Sequence, residues 1–278
     1  MSQTRREFIS ISSKLLLASA AYGIGAVASP LQSGHRQAGH SQSEGQQALA
    51  MHRGQIRAIA FDAFPIFDPR PIFALAGRLF PKQGKRFSVL WRTRIFEYTW
   101  LRASAGQYRD FWACIEDALI YTALELQVDL SVDKKQQLMQ AFLDIRAFPD
   151  VKPALQSFKK AGIKLVFLSN MTESMLSSGI KNAGLDGYFD DILSTDRVKT
   201  FKPDRKAYQL APDSLNLPKE EIAFAAFASW DAAGAKWFGF PTVWVNRLKF
   251  KPEVLNAQPD AVGEGMDVLS RFVLSERS

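Results

Sequence analysis

The stretch Ile56-Arg57-Ala58-Ile59-Ala60-Phe61-Asp62-Ala63-Phe64-Pro65-Ile66-Phe67-Asp68 decides the fold. Residues 56–61 form an apolar run broken only by Arg57, short enough and rich enough in Ile and Phe to read as a buried strand. The run ends on Asp62. A carboxylate there gains little in stability. The carboxyl edge of an open α/β sheet is, however, where ligands bind. Asp62 is therefore the first candidate for chemistry.

Downstream, further apolar runs at 164–168, 222–226 and 242–245 read as strands. Helical stretches at 151–161, 204–214 and 231–238 alternate with them. Repeated β–α alternation implies a parallel sheet with helices on both faces. The region 67–148 breaks that rhythm: no strand is evident, and helical patterning covers 87–105, 110–126 and 132–145. Ile95, Tyr98, Thr99 and Arg102 share one helical face at i, i+3, i+4, i+7. An all-helical block inserted after the first strand reads as a cap over the edge that carries Asp62. Pro149 and Pro153 mark the return to the core. The expected division is a core of 55–66 and 149–278 with a helical cap of 67–148.

Upstream, the chain opens with Arg5-Arg6 followed by Phe8-Ile9, then a moderately apolar run over 15–28 ending Ala26-Val27-Ala28. A twin arginine, a short apolar segment rich in Ala and Gly, and a small-x-small end read as an export signal over 1–28. The run is too short for a good membrane span. This implies the twin-arginine export machinery as a partner and a periplasmic location. Residues 29–54 are polar, rich in Gln, Ser, Gly and His, and read as a flexible linker. After loss of the signal about 250 residues remain, enough for one sizeable domain with an insert.

Composition removes several classes of chemistry. The three histidines, His35, His40 and His52, all lie in the linker. A Ser-His-Asp triad, a Cys-His pair or a His-ligated zinc site in the folded part is thereby excluded. Cys114 is the only cysteine, so no intramolecular disulfide can form; with Trp112, Ala113 and Ile115 around it, it reads as a core thiol. The net charge of +7 comes from scattered basic residues without a nucleic-acid motif, and nucleic acid is not an expected partner.

Four segments now line up at strand ends: Asp62; Ser169-Asn170; Lys202-Pro203-Asp204 with Tyr208 one turn on; and Trp230-Asp231. In this order they resemble the haloacid dehalogenase (HAD) superfamily. The stretch Leu90-Trp91-Arg92-Thr93-Arg94-Ile95-Phe96-Glu97-Tyr98-Thr99-Trp100-Leu101-Arg102 further resembles the cap helix of the type II (S)-2-haloacid dehalogenases. So do Trp230 to Ala235, Phe238-Gly239-Phe240-Pro241 and Trp244-Val245-Asn246-Arg247. The likeness runs from about Ile56 to Arg247. It implies an α/β fold with a HAD-like Rossmannoid parallel sheet and an inserted helical cap. Most HAD enzymes are Mg²⁺-dependent phosphatases with a second aspartate two residues after the nucleophile. Here that position is Phe64, which can neither ligate a metal nor shuttle protons. The dehalogenases carry an aromatic there and need no metal or other cofactor.

The resemblance implies a role for each position. Asp62 attacks the halogen-bearing carbon of a small halogenated carboxylate, a short-chain (S)-2-haloalkanoic acid, displaces halide with inversion and leaves an ester. Lys202 holds that carboxylate, Arg92 accepts the departing halide with help from Asn170, and Ser169 binds the substrate carboxylate. Tyr208 buttresses Lys202, and Asp231 orients or activates the hydrolytic water. Phe64, Phe96, Phe111 and Trp230 form apolar walls that exclude bulk water. Relatives of this kind are often homodimers.

The departures gather at the site. Where the family has aromatic-Gly-Thr-Leu, this chain has Phe64-Pro65-Ile66-Phe67. Where the family has Ser-Ser-Asn-Ala-Trp-Asp, this chain has Ala226-Phe227-Ala228-Ser229-Trp230-Asp231. Losing one well-placed polar group at an active site costs about 10²–10³ in rate, and Ile66, Ala226 and Ala228 remove three. Three readings stay open: a dehalogenase impaired in its hydrolytic step, a degenerate small-carboxylate binding protein, and a HAD phosphatase.

Overall fold

The computed structural model describes residues 56–274. The expected export signal and linker lie outside the described residues. Six strands form one parallel sheet: β1 (Ala58–Phe61), β2 (Lys164–Ser169), β3 (Asp191–Ser194), β4 (Ile222–Ala226), β5 (Thr242–Val245) and β6 (Ala261–Gly263). Their order across the sheet is β3-β2-β1-β4-β5-β6. β1 is central, with Phe61 in register with Phe167 of β2 on one side and Ala225 of β4 on the other. The amide of Asp62 donates to the Ala225 carbonyl at 3.0 Å, so the ladder carries the candidate nucleophile to the middle of the sheet's carboxyl edge.

The apolar runs lack polar alternation because both faces are covered. Ala58, Ala60, Val166, Leu168, Phe224 and Ala226 pack with α8 (Arg205–Leu215) and α9 (Ser229–Phe238) through Tyr208, Ala211, Ala232 and Ala235. Ile59, Phe61, Leu165, Phe167, Ala223 and Ala225 face the other way. There they join Leu155 and Phe158 of α6 (Val151–Lys160), Leu176 of α7 (Glu173–Ala183) and Leu269 of α10 (Met266–Leu274).

Between β1 and β2 lie α1 (Ala63–Ile66), α2 (Arg70–Leu79), α3 (Gly84–Ala105), α4 (Phe111–Glu125) and α5 (Val132–Leu143). On α3, Phe87, Trp91, Ile95 and Thr99 are buried at three- to four-residue spacing, a single stripe facing inward. Tyr98 and Arg102 lie at its margin, and Arg102 pairs with Asp117 of α4 at 2.7 Å. The indole of Trp91 donates to the Ile115 carbonyl at 3.1 Å, tying α3 to α4. Asp110 caps α4 by accepting from the Ala113 amide at 2.8 Å. Gly106 ends α3 at φ 64°, a left-handed cap that favours glycine. Cys114 is fully buried, and burial pushes its thiol up to about 11, as befits an inert core residue.

Three differences from the sequence reading have physical causes. The edge strands β3 and β6 were not expected; they are short, and neither carries a long apolar run. Helices α2, α7 and α10 were likewise not expected. The segment after Asp62, for which no helix was expected, is one helical turn capped by the Asp62 side chain. Pro65 fits there because the first turn of a helix has amides without intrahelical partners anyway.

Candidate active site

The strand ends deliver one ammonium and two carboxylates to a single buried point. Lys202 Nζ donates to Asp62 Oδ1 at 2.9 Å and to Asp231 Oδ2 at 2.6 Å. Lys202 and Asp231 are each 1% exposed. The loop that carries the lysine is pinned from β2: its amide donates to Asn170 Oδ1 at 2.9 Å, and Thr195 Oγ1 donates to the same oxygen at 3.3 Å. The Tyr208 hydroxyl donates to Asp231 Oδ1 at 2.7 Å from beneath.

Burial penalises every charge in this cluster, and the partners decide each outcome. For Lys202, burial pulls the pKa down, but Asp231 and then Asp62 outweigh it, so the ammonium is held above its ordinary value. For Asp231, burial dominates. The neighbouring Asp62 charge adds to it, Lys202 and Tyr208 oppose it, and the carboxyl is pushed up to about 6. Burial, followed by the Asp231 charge, raises the Tyr208 hydroxyl well above its usual range, so it stays a donor.

This leaves the two oxygens of Asp62 unequal. Oδ1 is held by the lysine, whereas Oδ2 receives one long contact, 3.4 Å, from the Phe64 amide. Oδ2 is thus the oxygen available to react. It opens into a cavity of about 570 Å³ whose floor is Asp62, Ser169, Asn170, Met171 and Lys202. The roof comes from α3 through Arg92, Thr93, Phe96 and Trp100. The walls are aromatic: Phe96 meets Trp230 at 5.3 Å and Phe111 at 6.3 Å, and Phe64 meets Phe227 at 5.5 Å between ring centroids.

Several donors in this cavity are unspent, Arg92, Asn170 and Ser169 among them. The Arg92 guanidinium lies 5.1 Å from the Phe250 ring centroid and has no hydrogen bond or ion pair to the described residues; burial lowers its pKa. Asn170 Nδ2 is buried without a hydrogen-bond partner. Ser169 Oγ accepts from the Met171 amide at 3.2 Å, which leaves its proton to donate. Free donors around the Asp62 carboxylate suit an anionic ligand that presents an electrophilic carbon to Asp62. Among the described residues, no group of three His, Cys, Asp or Glu side chains could hold a metal ion.

The profile of the haloacid dehalogenase-like hydrolases matches residues 55–239. The chain belongs to this family. It is 38% identical to an (S)-2-haloacid dehalogenase of Pseudomonas sp. (strain YL), over 74% of this chain and 89% of that protein. A solved L-2-haloacid dehalogenase shares 40% identity and superposes with a TM-score of 0.77, covering 79% of this chain and 99% of that one. The L-2-haloacid dehalogenase of Xanthobacter autotrophicus with chloropropionic acid covalently bound is 29% identical, with a TM-score of 0.73 over 80% of this chain and 99% of that chain.

Within this HAD-like site the expected residues fall into two groups. Asp62, Phe64, Arg92, Phe96, Phe111, Ser169, Asn170, Lys202 and Trp230 all line the cavity. Asp231 and Tyr208 do not. They stand behind Lys202, so Tyr208 supports the lysine through Asp231 rather than by direct contact, and both Asp231 oxygens are already engaged. Of the departures, Ile66 is buried in the core, Ala226 is buried in the sheet and Ala228 faces the cavity. Ser229 does not stand in for the missing polar groups, because it opens α9 and its hydroxyl donates to Glu253 at 2.7 Å. Sequence reading missed Phe227 and Phe250. Phe250 follows β5 in a stretch without helix or strand, and nothing in its local pattern points to Arg92.

Proposed function

We propose that this chain is a hydrolytic dehalogenase of (S)-2-halo carboxylic acids that works through an ester on Asp62. The carrying observation is the asymmetric Asp62: one oxygen fixed by Lys202 at 2.9 Å, the other with one long contact at 3.4 Å, in a cavity that Arg92 also lines without a hydrogen bond or ion pair to the described residues. Oδ2 attacks the carbon that bears the halogen. The C–O bond forms as the carbon–halogen bond breaks, and the halide departs with its electron pair toward Arg92. Ser169 and Asn170 Nδ2 hold the substrate carboxylate. Attack opposite the leaving group inverts the carbon. Water then adds to the ester carbonyl of Asp62, releasing the 2-hydroxy acid and regenerating the carboxylate. Asp231 keeps Lys202 charged and aimed at Asp62, and the aromatic walls exclude bulk water. The named relatives and the covalent chloropropionate complex of the Xanthobacter protein support this reading.

Hydrolysis of the ester is the slow half, because Ala226 and Ala228 leave the β4 side without polar side chains to position water. Incubation with (S)-2-chloropropionate, followed by chloride release and intact mass, tests the whole scheme. The expected result is a stoichiometric burst of chloride with an adduct on Asp62, then slower turnover. A stable adduct without turnover would make the protein an alkyl acceptor. Neither chloride nor adduct would end the dehalogenase reading.

The export reading belongs to the same proposal: residues 1–28 direct folded protein through the twin-arginine route to the periplasm, a reading supported by Arg5-Arg6 ahead of a short apolar run. Replacement of Arg5-Arg6 by lysines is expected to hold the protein in the cytoplasmic fraction. Pairing into a homodimer is supported by apolar side chains left exposed on α3 and α4, Leu101 at 61% and Leu124 at 73%. Sedimentation of the wild type and of L101E/L124E tests it, the double variant being expected as a monomer.

A further inference from the structure

We propose that the cavity takes a 2-halo acid whose reacting carbon carries an apolar group of aryl size, in preference to a propionate-sized acid. This rests on the dehalogenase reading of Asp62 and narrows its substrate class. Cavities of roughly 300–1,000 Å³ suit ligands far larger than a three-carbon acid, and this one is about 570 Å³. The free donors named above lie on its floor and at Arg92. Beyond them the cavity continues between the start of α2, the first half of α3 and the loop after β5, lined by Phe73, Val89, Phe142, Leu248 and Phe250.

Most of the polar groups in that branch are already engaged, the Thr93 hydroxyl being an exception. Ser88 Oγ donates to the carbonyls of Phe73 at 2.9 Å and Gly84 at 2.8 Å. Arg70 is doubly bonded to Asp68, by Nε at 2.8 Å and Nη2 at 2.6 Å. Glu97 forms an ion pair with Arg94 at 2.8 Å, although the geometry is not that of a hydrogen bond. A polar substituent entering here would lose water for few partners, whereas the lining is predominantly apolar and suits an apolar one. The lining is also firm. Phe73 and Phe142 each meet the fully buried Trp91 edge-on, at 5.9 and 5.6 Å between centroids. Ala228 at the cavity wall leaves room where a larger polar side chain would project.

Discrimination by a hydrophobic pocket is worth about tenfold or more per added carbon. The test compares kcat/KM for chloride release from 2-chloro-3-phenylpropionate and 2-chloropropionate. Alongside it, calorimetry measures binding of the unreactive 3-phenylpropionate and propionate. The expected result is at least a tenfold preference for the phenyl compound in both. V89W narrows the branch from a position 52% exposed, where the fold tolerates the larger ring; it is expected to cut that preference at least fivefold. Chloride release from both acids without a phenyl preference overturns the inference and leaves the dehalogenase reading standing. Tenfold tighter binding of 3-phenylpropionate without chloride from either acid keeps the apolar site and removes the dehalogenase reading. Neither chloride nor binding removes both.

Discussion

The two strands that flank β1 end very differently. β2 and β4 run beside Phe61 in matching parallel register, so the residues that follow each reach Asp62 from opposite sides. The β2 side supplies Ser169 and Asn170, a hydroxyl and an amide. Asn170 Oδ1 fixes the Lys202 backbone while Nδ2 stays free. The β4 side supplies Ala226, Phe227 and Ala228, whose polar contribution is a backbone carbonyl already accepting from Trp244 Nε1 at 2.9 Å. In the proposed mechanism the difference separates the two chemical steps. Binding the acid, holding the nucleophile and receiving the halide would draw on β2, Lys202 and α3, which carry polar side chains, whereas aiming water at the ester would draw on the Ala226–Ala228 side, which does not. Alkylation is therefore expected to outrun hydrolysis.

Lys202 depends on both sides, and K202M strikes both. It leaves Asp62 and Asp231 buried together without their cation, a loss of about 3–5 kcal/mol for a broken buried pair. Urea denaturation should register that loss, together with loss of chloride release. Near-wild-type stability would mean that the two carboxylates share a proton instead. A228N strikes the asymmetry itself by returning an amide to the bare side. An aligned polar group of this kind is worth about 10²–10³ in rate, so steady-state turnover should rise while the chloride burst keeps its amplitude. A burst rate that changes with turnover unchanged would place the slow step elsewhere. N170A does the reverse to the equipped side: it strands the Lys202 amide, a cost of about 1–3 kcal/mol, and removes a free donor. The burst should slow at least tenfold, as stopped-flow chloride detection can measure.

The sheet centre was legible because buried parallel strands advertise themselves as apolar runs; the four expected strands are the central ones and β5. The edges were not, since β3 and β6 are short and need no two-sided apolar pattern. The cavity residues on α3 were legible through the resemblance of 90–102, yet the pattern could not say that Trp91 packs inward while Arg92 roofs the cavity with no hydrogen bond or ion pair to the described residues. The roles of Tyr208 and Asp231 shifted for a geometric reason. Both sit on helices under the sheet's carboxyl edge, and sequence order does not reveal that Asp231 lies between Tyr208 and Lys202. Phe250 was invisible because it comes from irregular chain.

The smallest expected effect probes that buried relay. With Asp231 pushed up to about 6, the native state binds its proton more tightly than the unfolded chain. The stability this group contributes is greatest below its ordinary 3.8 and declines as pH rises through about 6. Activity runs the opposite way. Below about 6 Asp231 is neutral, Lys202 leans wholly on Asp62, and the nucleophile is quenched, so the chloride burst should show an acid limb there. Tyr208 donates to Asp231 and holds its pKa down, so Y208F should move the limb to higher pH at a stability cost of about 1 kcal/mol for the lost hydrogen bond. Tyr208 touches no part of the cavity, so a merely structural role would lower the burst equally at every pH. A limb that stays in place in Y208F would assign it to a group other than Asp231.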